Sequence, residues 1–279
     1  MTYEGLFYDY AFPTGGDCEK TELFCPTFTP AVSADPFTKK PEAYLSVGLG
    51  SGLAAADFSR KKLNLMLVLD ISGSMSAPFD AYYYDRFTGK GLPAPSETDR
   101  RQAKIDAAKD ALIALLDHLK PDDRFGLVLF DQYAYTALVP RAVGQRDMAA
   151  IKGHIRALRP LGGTNLDAGL ALATSLMQAA RASDPDTVEN RVVFMTDAMP
   201  NLGSTSDAAF LARLRDNAAI RLYSTVIGIG LDFNTELVEK ITKARGANYY
   251  SVHTSGEFRK RLDTEFEAMM LTSRRASFT

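Results

Sequence analysis

The stretch Leu63-Asn64-Leu65-Met66-Leu67-Val68-Leu69 is apolar at almost every position and then breaks abruptly into Asp70-Ile71-Ser72-Gly73-Ser74-Met75. A run this short, without polar alternation, suits a strand buried on both faces, as in parallel sheets covered by helices. Asp70, Ser72 and Ser74 then fall at the carboxyl end of that strand. That is the edge at which open α/β sheets bind ligands.

The chain beyond Leu63 keeps the alternation that such a sheet requires. Ile105, Ala108, Leu112, Leu115, Leu116 and Leu119 share one helical face, and Pro121 bars its continuation. Residues 124–130 read as a second buried strand. Residues 133–139 follow after a gap too short for a crossover helix, so they should pair antiparallel at the sheet edge. Helices over 148–158 and 166–180 precede a strand over 192–196. Phe210, Leu211, Leu214 and Ala218 form a helical stripe, 222–229 a strand, and Phe233, Leu237, Val238 and Ile241 another stripe. A short strand over 248–252 and a closing helix striped by Phe258, Leu262, Phe266 and Met269 complete the pattern. The expected fold is α/β: a doubly wound, mostly parallel central sheet with one antiparallel edge strand and helices on both faces.

Three polar features should converge at the carboxyl edge of that sheet. They are Asp70-x-Ser72-x-Ser74, the turn Gly162-Gly163-Thr164-Asn165 feeding a helix, and Asp197 at the end of the strand over 192–196. In the usual doubly wound order, the strands ending at Asp70 and Asp197 are neighbours flanking the point where the winding reverses. Taken singly, each feature has a plainer reading. Ser72 and Ser74 suit a turn around Gly73, Thr164 or Asn165 suits a helix cap, and Asp197 suits a solvated strand end. Taken together, two carboxylates and three hydroxyls without Cys or His offer only hard oxygen donors, which favour Mg²⁺, Mn²⁺ or Ca²⁺. Neutral hydroxyls leave the ion's charge poorly compensated, so an Asp or Glu carboxylate from a protein partner is the natural ligand to complete the shell.

Asp70-x-Ser72-x-Ser74, Thr164 and Asp197 resemble the metal-ion-dependent adhesion site (MIDAS) of von Willebrand factor type A (VWA) domains, and the strand pattern agrees over about 63–270. The resemblance implies that Ser72 and Ser74 bind the ion directly and that Asp70 and Asp197 bind it directly or through water. Thr164 is then the ligand that exchanges between direct and water-mediated contact, and the last helix is the element that moves in many relatives. Within that family, 55–65, 117–125 and 248–253 look most like bacterial-type calcium-activated chloride channel-like proteins. The implied activity is metal-dependent protein binding. A scaffold subunit with a structural or vestigial metal site is the alternative, and a Mg²⁺-dependent phosphohydrolase a remote one.

Catalysis is not expected. Asp70 lacks the companion carboxylate of a phosphoaspartyl site, since Ser72 stands there, and His118, His154 and His253 are poorly placed as bases for a serine nucleophile. A formal net charge of −2 supplies no field for nucleic acid or anionic lipid, and no apolar stretch approaches membrane-spanning length. Residues 1–60 read as an irregular, aromatic-rich extension expected to pack across the main domain of 61–271, with 44–49 as its only strand-like piece, and 272–279 as a polar tail. Without a leader-like segment after Met1, a cytoplasmic setting and reduced Cys18 and Cys25 are expected, although the pair could close a small loop. The long insertion over 78–100 begins beside Ser74, and its Tyr82, Tyr83 and Tyr84 either read the partner or pack onto the domain.

Overall fold

In a computed structural model, the described residues are 18–19, 22, 25–35, 37–50, 52, 60–78, 102–181, 184, 187–198, 205–230, 240–252, 254–263, 266 and 270. Two compact units emerge, Met1–Arg60 and Lys61–Thr279. Tyr82, Tyr83 and Tyr84 lie outside the described residues, as do Phe233, Leu237 and Val238.

The first unit contains a hairpin of β1 (Cys25–Ala34) and β2 (Pro41–Gly50), paired antiparallel. The strand-like piece at 44–49 thus belongs to a longer strand, and β1 is an addition to the sequence reading. Pro26 and Pro30 obscure it in the sequence, yet a two-stranded ribbon has an outer edge where a missing N–H costs no ladder bond. Phe28 faces Val47 and Pro30 faces Leu45 across the ribbon, giving one apolar face. Cys18 and Cys25 are joined in a disulfide, which corrects the expectation of reduced thiols. Such bonds persist in oxidising surroundings.

The second unit is built on a six-stranded sheet. Its strands are β3 (Lys62–Asp70), β4 (Arg124–Phe130), β5 (Ala134–Ala142), β6 (Val188–Thr196), β7 (Leu222–Ile229) and β8 (Asn248–Val252). They run in the order β5-β4-β3-β6-β7-β8, all parallel except β5, which is antiparallel to β4. The helices are α1 (Lys104–Asp117), α2 (Met148–Ala157), α3 (Leu166–Ala180), α4 (Thr205–Ala219) and α5 (Ser255–Leu262). The fold is therefore the doubly wound α/β arrangement expected of the sequence.

The alternating side chains of β3 explain why its sequence is apolar throughout. Leu63, Leu65, Leu67 and Leu69 enter one core with α1, α2 and α5, through Leu112, Ile151 and Phe258 among others. Met66 and Val68 enter the opposite core with α3 and α4, through Leu170 and Phe210. The strand is therefore fixed from both sides, and a fixed strand gives its terminal residue a fixed position.

β6 begins at Val188, four positions earlier than the apolar pattern indicates. Its first turns of chain are polar yet buried: Glu189, Asn190 and Arg191 are 4%, 4% and 0% exposed. Each has an internal partner. Asn64 Nδ2 donates to Asn190 Oδ1 at 2.8 Å, Arg191 Nε donates to Glu189 Oε1 at 2.8 Å, and Arg191 donates to Thr225 Oγ1 at 2.9 Å. This network lies at the amino end of β6, the opposite edge from Asp197.

Candidate metal centre

The register of the central strands brings the carboxylates together. β3 and β6 pair in parallel with Leu69 opposite Met195, so Asp70 and Thr196 end adjacent strands and Asp197 follows at once. Asp70 is fully buried, and both its oxygens are engaged. The Ser72 amide donates to Oδ1 at 2.8 Å, and the Thr196 hydroxyl donates to Oδ2 at 2.5 Å. Burial nevertheless pushes the Asp70 carboxyl up to about 6 from an ordinary 3.8; the hydrogen bonds from Ser72 and Thr196 lower it, and the Asp197 charge adds to the rise.

After Asp70 the chain makes a short 3₁₀ turn, Gly73–Ser76. Ser72 occupies the cap position of that turn, where its carbonyl accepts from Met75 N at 3.1 Å, but its hydroxyl makes no capping bond. Instead Ser72 Oγ lies 3.1 Å from Ser74 Oγ, and Ser74 Oγ donates to Asp197 Oδ1 at 2.7 Å. Ser74 spends its single proton on Asp197, and the Ser72 side chain also hydrogen-bonds the Asp70 carboxylate. Ser72 and the Asp197 carboxylate form a buried floor, while Ser74 is exposed at the rim.

The loop with Thr164 is tied to this turn through its backbone. Gly73 N donates to Gly162 O at 3.0 Å, and Leu161 N donates to Ile71 O at 2.8 Å. On its other side, Asn165 N donates to Asp131 O at 2.8 Å. Gly162 has φ +83, and a Cβ there would sit 3.0 Å from Asp131 Oδ2, so both the conformation and the close approach require glycine. Asn165 caps α3 by accepting from Ala168 N. Thr164 is exposed on this loop and stands outside the hydrogen-bond chain that links Asp70, Ser72, Ser74, Thr196 and Asp197.

Two charged residues at the site escaped the sequence reading. Lys104, the first residue of α1, places its ammonium 3.2 Å from Asp197 Oδ2, with the two side chains 12% and 1% exposed. The apolar stripe that marks the helix carries no information about a charged side chain at its first position. Asp131 follows β4 directly and is buried; its carboxylate accepts from Tyr133 N at 2.8 Å and from the Tyr135 hydroxyl at 3.3 Å. The rule that picks out Asp70 and Asp197, an acid at the carboxyl end of a parallel strand, also picks out Asp131. The insertion is rooted here too, since Pro78 bridges Ala103 and Lys104 N donates to Ala77 O at 2.9 Å.

The donor chemistry suits a hard divalent cation. Mg²⁺ holds its ligands at about 2.0–2.1 Å in an octahedron, which puts neighbouring oxygens about 2.9 Å apart. The Ser72, Ser74 and Asp197 oxygens, hydrogen-bonded neighbours at 3.1 and 2.7 Å, lie close enough together to share one ion. His118 is remote in role, its Nε2 lying 2.6 Å from Asp263 Oδ1, and His253 lies outside the described residues.

Comparison with known proteins follows the same lines. Residues 65–199 match the family model of the von Willebrand factor type A domain. Inter-alpha-trypsin inhibitor heavy chain H1 of Mesocricetus auratus is 29% identical over 190 residues, which cover 65% of this chain and 18% of the relative. The chain thus spans about a fifth of the length of the inter-alpha-trypsin inhibitor heavy chains it matches. A von Willebrand factor type A structure from Catenulispora acidiphila aligns with a TM-score of 0.55 at 16% identity, covering 89% of this chain and 50% of that one. Proximal thread matrix protein 1 from the mussel byssus, solved with a zinc-occupied MIDAS motif, aligns with a TM-score of 0.51 at 18% identity, covering 76% and 48%.

Proposed function

We propose that the von Willebrand-type fold of residues 61–271 serves divalent-cation-dependent protein binding. Asp70, Ser72, Ser74, Thr164 and Asp197 hold the ion, Mg²⁺ or alternatively Mn²⁺ or Ca²⁺, and an Asp or Glu carboxylate of a protein partner completes its coordination. The observation that carries this reading is the clustering of the Ser72, Ser74 and Asp197 oxygens, hydrogen-bonded to one another and open to solvent at Ser74. Asp70 supports it from beneath by fixing the Ser72 amide. The bound ion would supply Lewis-acid attraction for an incoming carboxylate. Zinc in the MIDAS motif of the mussel protein supports the idea that this fold can hold a divalent ion at such a site.

Adhesion, rather than turnover, fits Asp70. A phosphoryl-accepting carboxylate must reach its substrate, whereas Asp70 is fully buried with both oxygens engaged. The similarity to calcium-activated chloride channel-like proteins is kept in the same sense, as one to a binding module. Among the described residues, no helix is long and apolar enough to cross a membrane. Tyr82, Tyr83 and Tyr84 remain proposed contacts because the insertion is rooted at Ala77 and Lys104, beside Asp197.

A scaffold reading with a vestigial site draws on one observation, the Lys104 ammonium that already partners Asp197. The two are separated by capturing partners from native extract on wild-type and Asp70→Ala protein, with Mg²⁺ or with EDTA. A partner retained by wild type in Mg²⁺ and lost in EDTA and in Asp70→Ala supports the adhesive reading. Retention under all conditions by a folded Asp70→Ala protein rejects it.

A further inference from the structure

We propose that Lys104 is a tethered counter-cation that competes with the divalent ion for Asp197 and thereby sets the affinity of the site; the inference rests on the metal-binding reading above. A lysine is rarely buried unless paired, and the Lys104 side chain is only 12% exposed. Its position makes the pairing more telling. Lys104 opens α1, where the helix dipole presents its positive end and disfavours a cation. The adjacent carboxylate offsets that cost: Nζ lies 3.2 Å from Asp197 Oδ2, while Oδ1 of the same carboxylate receives the Ser74 hydroxyl at 2.7 Å.

Asp197 therefore divides its two oxygens between the proposed ion ligands and an internal cation. An ion drawn to the Ser72–Ser74–Asp197 edge meets a carboxylate whose charge is already balanced, and it meets the repulsion of the ammonium as well. Binding must weaken or displace the Lys104 contact. The lysine thus holds the ion-free site together, since Asp197 would otherwise be a buried carboxylate without a cation, and it makes tight occupancy depend on sufficient metal or on the extra negative charge of a partner carboxylate.

The test is Mg²⁺ and Mn²⁺ affinity by isothermal titration calorimetry for wild type, Lys104→Met and Lys104→Arg. Lys104→Met should bind about tenfold more tightly or better, as expected on removing a like charge a few ångströms from the ion, and Lys104→Arg should stay near wild type. Wild-type protein supplies a second readout that does not depend on a variant folding. Acylation of Lys104 by an amine-reactive reagent, followed by mass spectrometry, should be suppressed in EDTA and rise in saturating Mg²⁺. If wild type binds Mg²⁺ while a folded Lys104→Met binds no more tightly and Lys104 acylation ignores the metal, the competition is refuted and the metal site stands. If neither wild type nor Lys104→Met binds any ion, the metal-binding reading falls and this inference with it.

Discussion

Replacing Asp70 with Asn should stabilise the metal-free protein at neutral and alkaline pH, although the residue is central to the site. The folded protein holds the Asp70 carboxyl at about 6 against an ordinary 3.8, chiefly by burial. A rise of about two units corresponds to about 3 kcal/mol. The sign follows from the direction of the shift. A group whose folded value is raised favours folding fully below its unfolded value of 3.8, and that contribution is lost as the pH rises through about 6. Above pH 7, metal-free wild type therefore carries the whole cost of an ionised buried carboxylate. Asn at position 70 keeps an acceptor for the Ser72 amide but loses the acceptor for the Thr196 hydroxyl, a loss of about 1 kcal/mol. The net gain should be about 2 kcal/mol at pH 8 in EDTA and close to zero or negative at pH 4. Urea unfolding across pH 4–8 in EDTA measures it, and addition of Mg²⁺ should reverse the order by stabilising wild type alone. If wild type and Asp70→Asn show parallel stability profiles in EDTA, the argument that burial strains this carboxylate is wrong.

Other outcomes follow from the same geometry. Glu189→Ala should cost about 3–5 kcal/mol in denaturant unfolding, because it leaves the fully buried Arg191 without its carboxylate; a loss below about 1 kcal/mol would show that Thr225 and Gly246 suffice. Gly162→Ala should destabilise by about 1–2 kcal/mol, from its left-handed backbone and the close approach to Asp131, and weaken Mg²⁺ binding by displacing the Thr164 loop. Protein purified without reductant should show no thiol reactive toward Ellman's reagent, since Cys18 and Cys25 are bonded to each other; two reactive thiols per chain would contradict the disulfide.

Much of the fold could be read from the sequence because its central strands are buried on both faces. Leu63, Leu65, Leu67 and Leu69 serve one core and Met66 and Val68 the other, so an uninterrupted apolar run had one reasonable interpretation. The site was legible for the same reason, as Asp70 and Asp197 mark the ends of two such strands. What escaped was polarity used in unusual places. Glu189, Asn190 and Arg191 belong to β6 although they interrupt the apolar pattern, because Asn64 and Thr225 partner Asn190 and Arg191 across the sheet and Arg191 in turn pairs with Glu189. Pro26 and Pro30 hid β1, whose outer edge has no partner strand in the sheet to feel their missing donors. Lys104 and Asp131 belong to the site through tertiary contacts with Asp197 and Gly162, distant in sequence, and no local pattern announces them.

The proposed ion site is formed by oxygens of Asp70, Ser72, Ser74, Thr164 and Asp197. Titration of Mn²⁺ into wild-type protein and into a Ser72→Ala/Ser74→Ala variant, followed by electron paramagnetic resonance of the free ion, tests it without knowledge of the partner. One tightly held ion per wild-type chain, displaced by Mg²⁺, is expected, with loss of that ion in the folded double variant. Equal Mn²⁺ uptake by the two proteins, or none by wild type at millimolar metal, would contradict it.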